Sequence, residues 1–181
     1  MMEYKLSEYS FIREIGRGAA GSVWLVKSTK DIYYAIKIVS KAEIGEDAYT
    51  REMRGISIYG RLPWSKGLVP VYDFWEDKIN SIFYCVMALA DDEQNGRNII
   101  PEIYRPKTLS SIILARVALP MNECISIANV LLNALEYLQY NHLVHRDIKP
   151  GNVLIINNEP VLTDFGLAID FRDANSIVGT P

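Results

Sequence analysis

The chain has 181 residues, of which 49% are hydrophobic and 23% charged, and its formal net charge is −3. That length and balance suit one folded domain with a real core and exclude a disordered chain. Mild acidity argues against a non-specific binder of nucleic acid or membrane surfaces. Two cysteines, Cys85 and Cys124, build neither a disulfide framework nor a zinc site, which points to a reducing, cytoplasmic setting. The charged N-terminus is not a signal peptide, and no run of ~20 apolar residues is present to span a membrane.

The first half reads as β structure. Residues 9–15, 23–26 and 33–39 are short runs of β-branched and aromatic residues bounded by turn formers, and they predict three strands joined as hairpins. Residues 46–59 predict a helix that opens on Glu46 and Asp47 and repeats Tyr49, Met53 and Ile56 at helical spacing, with Gly55 as a weak point. Two more strands are expected near 69–75 and 81–88. The polar stretch 91–107, with two prolines, is the natural boundary between two halves. Beyond it, 108–116 predicts a short helix and 121–140 a long one. On the long helix Asn122, Ser126, Asn129, Asn133 and Glu136 form a polar stripe, and Ile125, Ala128, Leu131, Leu132, Leu135 and Leu138 form the apolar face. Residues 153–163, VLII-NNEP-VLT, predict a small hairpin.

Four features carry chemistry. Gly16, Gly18 and Gly21 are spaced so that backbone N–H groups can approach phosphate oxygens. A lone GxGxxG arises by chance in about one such chain in twenty-five. Lying between two strands rather than before a helix, this one is either a plain hairpin turn or a flap over phosphates. Lys37, inside an apolar strand, is either solvated or a buried cation in need of a partner, and Glu52 is the candidate partner. The run His145 to Asn152, HRDIKPGN, has a chance expectation of roughly one in ten thousand chains. Within it Asp147 can take a proton from an attacking hydroxyl, Lys149 can hold a transferring phosphate, and Asn152 can offer a neutral oxygen to a metal. His145 reads as a satisfied core histidine. Asp164, in the DFG one hairpin later, supplies a second oxygen ligand suited to Mg²⁺.

In order and spacing, GRGAAGSV, YAIK, Glu52, HRDIKPGN, DFG and the terminal GTP resemble the catalytic domain of eukaryotic-like serine/threonine protein kinases. The resemblance runs from Tyr9 to Pro181. It implies an α+β, two-lobed fold. Residues 1–90 would be an antiparallel, β-rich N-lobe with one helix and the hinge, and 91–181 an incomplete, mainly helical C-lobe. It implies ATP and Mg²⁺ as cofactors and protein serine or threonine hydroxyls as substrates. Gly16, Gly18 and Gly21 would cover the phosphates, and Lys37, paired with Glu52, would contact them. Val23, Ala35 and Leu154 would sandwich adenine, with Met87 behind it and Ala88, Leu89 and Ala90 as the hinge. Asp147 would be the catalytic base, Lys149 would steady the γ-phosphate, and Asn152 and Asp164 would hold Mg²⁺.

Lys149-Pro150 and Gly179-Thr180 resemble the serine/threonine branch, Thr180 being the residue whose hydroxyl helps order the catalytic loop. Arg146 matches the family's partner for a phosphorylated activation loop, with Ser176 as the candidate phosphosite. The DDEQNGRN insertion and the YRPKTL stretch have a bacterial look. The chain stops at GTP, without the family's Ala-Pro-Glu segment and later helices, so it is expected to be a fragment that is inactive alone. Two other readings stay open. A pseudokinase-like scaffold would be marked by loss of Lys37, Asp147 or Asp164, and none is lost. A small-molecule phosphotransferase usually lacks the lysine that stands here as Lys149 and the full glycine flap.

Overall fold

A computed structural model describes residues 6–170. Five antiparallel strands open the fold: β1 (Tyr9–Gly18), β2 (Gly21–Ser28), β3 (Tyr33–Ser40), β4 (Val71–Asp77) and β5 (Ile82–Ala88), in the sheet order β1-β2-β3-β5-β4. A short helix, α1 (Lys41–Ile44), leads into α2 (Glu46–Tyr59), which matches the predicted bounds. Helix α2 closes one face of the sheet by packing Tyr49 and Ile56 with Val39, Phe83 and Cys85. The glycine-rich turn is tight because Gly18 pairs directly with Gly21. Gly21 has φ +116°, and a Cβ there would overlap the Ile38 carbonyl oxygen, so only glycine fits.

The second half is α3 (Leu109–Arg116), α4 (Met121–Tyr140) and two short strand pairings. β6 (Leu143–Val144) pairs with β9 (Ile169–Asp170), and β7 (Val153–Ile156) with β8 (Glu159–Leu162). Thr108 caps α3 in a capping box with Ser111, which explains why the helix starts there. One core runs through both halves: Ala35 and Met87 pack in the same cluster as Leu138, Leu143, Val153, Leu162 and Phe165. Among the described residues, no helix is long and apolar enough to cross a membrane.

Helix α4 buries Ala134 and Leu138, with Leu131 and Leu135 partly covered, but Ile125 and Ala128 are exposed and Leu132 is 61% exposed. Periodicity identified an apolar stripe wider than the surface its neighbours cover. The polar stretch 91–107 lies between the strand-rich part and the helical part and is itself packed. Asp91 and Asp92 are buried, and Tyr104 is 0% exposed. The Asp92 carboxylate accepts the backbone N–H groups of Gln94, Asn95 and Arg105. The Asp91 carboxylate accepts those of Asn157 and Asn158 in the β7–β8 turn, where both residues have positive φ. Polar composition here serves internal turn bonding rather than solvation.

Candidate active site

A cavity of about 350 Å³ opens between the sheet and the helical part. Gly16, Gly18 and Gly21 line it from the first hairpin, with Val23 and Ala35 from β2 and β3. Met87, Ala88, Leu89 and Ala90 line it from β5 and the turn beyond, and Asn152, Leu154 and Asp164 from the second half. The walls beside Val23, Ala35, Met87 and Leu154 are apolar, and the polar groups gather at one end. That suits a flat apolar ring with a charged tail.

At the polar end, Lys37 is 8% exposed and donates to Glu52 Oε2 and to Asp164 Oδ1, each at 2.8 Å. Alternation along β3 turns Lys37 inward, and β5 places Cys85 opposite it. Burial alone pulls the Lys37 pKa down; Asp164 and Glu52 more than reverse that and hold it above 10.5. Burial raises the Glu52 carboxyl, and Lys37 opposes that rise. The same burial pushes the Cys85 thiol up to about 12, so it stays protonated and unreactive.

Beside this group, Asp147 Oδ2 accepts from Lys149 Nζ at 2.6 Å and from Asn152 Nδ2 at 2.8 Å. The Lys149 bond, set against slight desolvation and helped by Asn152, holds the Asp147 carboxyl below the usual range. Asn152 also donates to the Asp147 carbonyl, and Thr163 N–H bonds the Asn152 carbonyl. The loop is therefore stitched to the strand that leads into Asp164. Arg146 and Asp164 both have φ +70°, a strained region for non-glycine residues that persists only where the surroundings enforce it.

His145 is 2% exposed and edge-on to Phe165, with ring centroids 4.9 Å apart. Its Nε2 bonds the Thr163 carbonyl at 2.9 Å, and Asp147 N–H donates to Nδ1 at 3.3 Å. Together these bonds need a neutral ring protonated on Nε2. Burial holds its pKa below 6.5 despite the Thr163 bond. The unfolded chain thus takes up the proton first as the pH falls, so the His145 contribution to stability is present above the unfolded value and is lost progressively below it. Urea midpoints measured from about pH 7.5 to 5.5 should fall on acidification, and His145→Gln should flatten that slope. An unchanged slope in the variant would remove His145 as its source.

Several contacts here have weak or no sequence signals. Lys37 and Asp164 are 127 positions apart. Tyr104 lines the cavity and donates its hydroxyl to the Ala90 carbonyl at 3.0 Å. Arg13 in β1 reaches the Pro101 carbonyl at 2.8 Å and also the Tyr104 carbonyl, so the first strand is strapped to the segment after β5. A bulge between Phe11 and Arg13 shifts the β1 register at that point. The one legible hint was the Asp92–Gly96 turn chemistry. Ser176 and Thr180 lie outside the described residues.

Residues 9–181 match the family model described as the protein kinase domain. The chain belongs to the protein kinase domain family. This kinase domain is 32% identical over 167 residues to the serine/threonine-protein kinase greatwall of Danio rerio, covering 90% of this chain and 17% of that protein. It is 34% identical over 160 residues to the serine/threonine-protein kinase PknK of Mycobacterium tuberculosis, covering 87% of this chain and 13% of that one. The crystal structure of the Mycobacterium tuberculosis PknI kinase domain superposes with a TM-score of 0.68 at 25% identity, over 89% of this kinase domain and 60% of that chain. This kinase domain thus spans less than a third of the length of these curated relatives.

Proposed function

We propose that the chain is the nucleotide-binding and catalytic part of a serine/threonine protein kinase that moves the γ-phosphoryl group of Mg-ATP to protein hydroxyls. The observation that carries this reading is the adjacency of two charge groups. Lys37 bridges Glu52 and Asp164 at the polar end of the cavity, and Asn152 and Lys149 converge on Asp147 beside it. The relatives named as serine/threonine-protein kinases support it. Val23, Ala35, Met87 and Leu154 bury the purine, and the backbone from Ala88 to Ala90 orients it. Gly16, Gly18 and Gly21 close over the phosphates. Lys37 holds them at the end fixed by Glu52. Asp147 orients the substrate hydroxyl and takes its proton, and Lys149 balances the charge that builds on the transferred group. Arg146 is the docking point for a phosphorylated Ser176, and Thr180 helps order the catalytic loop.

Asp164 and Asn152 fit a hard cation. Both line the cavity and both offer oxygen, and Asn152 spends its amide nitrogen on Asp147. Among the described residues no cluster of three His, Cys, Asp or Glu could hold a metal, so phosphate oxygens would complete the shell. When bound, the cation neutralises charge on the phosphates. The free thiols Cys85 and Cys124 support a reducing, cytoplasmic location.

A stripe of α4 is uncovered: Met121 is 74% exposed and Leu132 61%, with Ile125 between them. Surfaces of this kind seek a cover. We propose that residues 1–181 alone transfer phosphate at near-background rates because that face lacks a cover.

Titration of a fluorescent ATP analogue with and without Mg²⁺ tests the nucleotide reading. Mg²⁺ should tighten binding to the wild type, and Asp164→Ala should remove most of that gain. Equal affinities in all four measurements would sink the metal assignment. Labelled phosphate should go to a basic test protein rather than to small alcohols; the reverse preference would favour a small-molecule phosphotransferase.

A further inference from the structure

Helix α2 carries glycine in its third turn, where only proline is a poorer choice. The reason lies in what faces it. A Cβ on Gly55 would stand 2.9 Å from the Gly166 carbonyl oxygen and closer still to that of Phe165. Opposite, a Cβ on Gly166 would overlap the Glu52 carboxylate. Glu52 and Gly55 are three apart and share a helix face, so the 165–166 backbone lies directly on the turn that holds the Lys37 partner. Phe165 pins the same contact one turn further along the helix by stacking on Tyr59, centroids 3.5 Å apart. Asp164 immediately precedes this backbone and sits in a left-handed conformation, φ 70° and ψ 70°. Aspartate tolerates that geometry better than most residues but still at a cost, and the seat against α2 holds it there.

We propose that Gly55 is a positioning residue: its missing side chain lets residues 164–167 seat against α2, which brings the Asp164 carboxylate to Lys37. The inference rests on the Mg-ATP reading of the same site. An alanine at 55 lifts the 164–167 segment by the width of a methyl group. It leaves the purine walls alone, because Gly55 does not line the cavity.

The test compares Gly55→Ala with Thr50→Ala, an exposed position on the same helix. Both changes raise helix propensity, so a purely helical role would leave the two variants alike or stabilised. With a fluorescent ATP analogue as probe, Gly55→Ala should bind within about twofold of wild type without Mg²⁺ and lose at least about fivefold of the Mg²⁺-dependent gain. Hydrogen exchange should accelerate across residues 163–168 and stay unchanged across β5. Thr50→Ala should match wild type throughout. Wild-type Mg²⁺ gain and exchange in Gly55→Ala would overturn the proposal. So would loss of Mg²⁺-free binding together with the thermal transition, since the glycine would then serve the whole fold. Should wild type itself show no Mg²⁺ gain, the function reading fails, and the exchange comparison still decides the role of Gly55.

Discussion

Asp147→Asn in the full-length protein lowers kcat by ~10²-fold or more, while ATP affinity stays within about a factor of two. The expected split follows from where the contacts fall. Lys149 and Asn152 both bond Asp147 through Oδ2, and they leave Oδ1 as the oxygen proposed to meet the substrate hydroxyl. An amide cannot take that proton. It also upsets Oδ2, because an amide nitrogen placed there would face two donors. Asp147 does not line the cavity, so nucleotide contacts are untouched. The lowered pKa means the carboxylate is ionised throughout the neutral range and accepts the proton late, as the forming phosphate ester acidifies the hydroxyl. The acid limb of a kcat profile should therefore not come from Asp147. Steady-state rates at saturating ATP, paired with analogue titration, check the split. A variant with lost ATP binding and high residual kcat would reverse the assignment.

Lys37→Met should both abolish most of the transfer rate and destabilise the fold by ~3–5 kcal/mol at neutral pH, the usual scale for stripping one partner from a buried ion pair. Glu52 is 5% exposed, and its counter-charge would be gone. Its folded pKa, already raised by burial, would rise further. A carboxyl that holds its proton more tightly when folded loses stability as the pH rises from the unfolded value through the folded one. The variant should then be least destabilised in mild acid, and adding Glu52→Gln should restore much of the loss by removing the stranded charge. Urea unfolding of the single and double variants at two pH values measures this. Equal destabilisation at both pH values, with no rescue, would mean that Lys37 is held by packing of its stem rather than by its charge.

Local signals carried much of this far, and the limits are physical. The bounds of α2 and α4 could be read because acidic first turns and helical spacing act within a few residues. The Lys37–Glu52 pair was legible because one strand and the next helix bring it together. The Lys37–Asp164 bond was not, because it depends on how the two halves close. Gly55 read as a flaw in a helix, whereas its meaning lies in a backbone more than a hundred positions away. Ile125 and Leu132 belong to the apolar face that periodicity marks, and a stripe of apolar residues reports the chemistry of a face and not whether anything lies on it. The burial of Tyr104 had no signal in the polar boundary stretch, since turn-forming aspartates look the same in sequence whether they bond water or backbone.

The strap formed by Arg13 has a consequence for how this region tolerates sequence drift. Arg13 grips two main-chain carbonyls, those of Pro101 and Tyr104. Every residue type supplies a carbonyl, so position 101 is free to change without weakening that grip. Tyr104 is tied for a different reason, through the hydroxyl that meets Ala90. Arg13 alone carries the donor side of both strap bonds, and lysine cannot present two N–H groups in the same fixed fork. One partner of this contact is thus nearly blind to substitution and the other intolerant of even the mildest one.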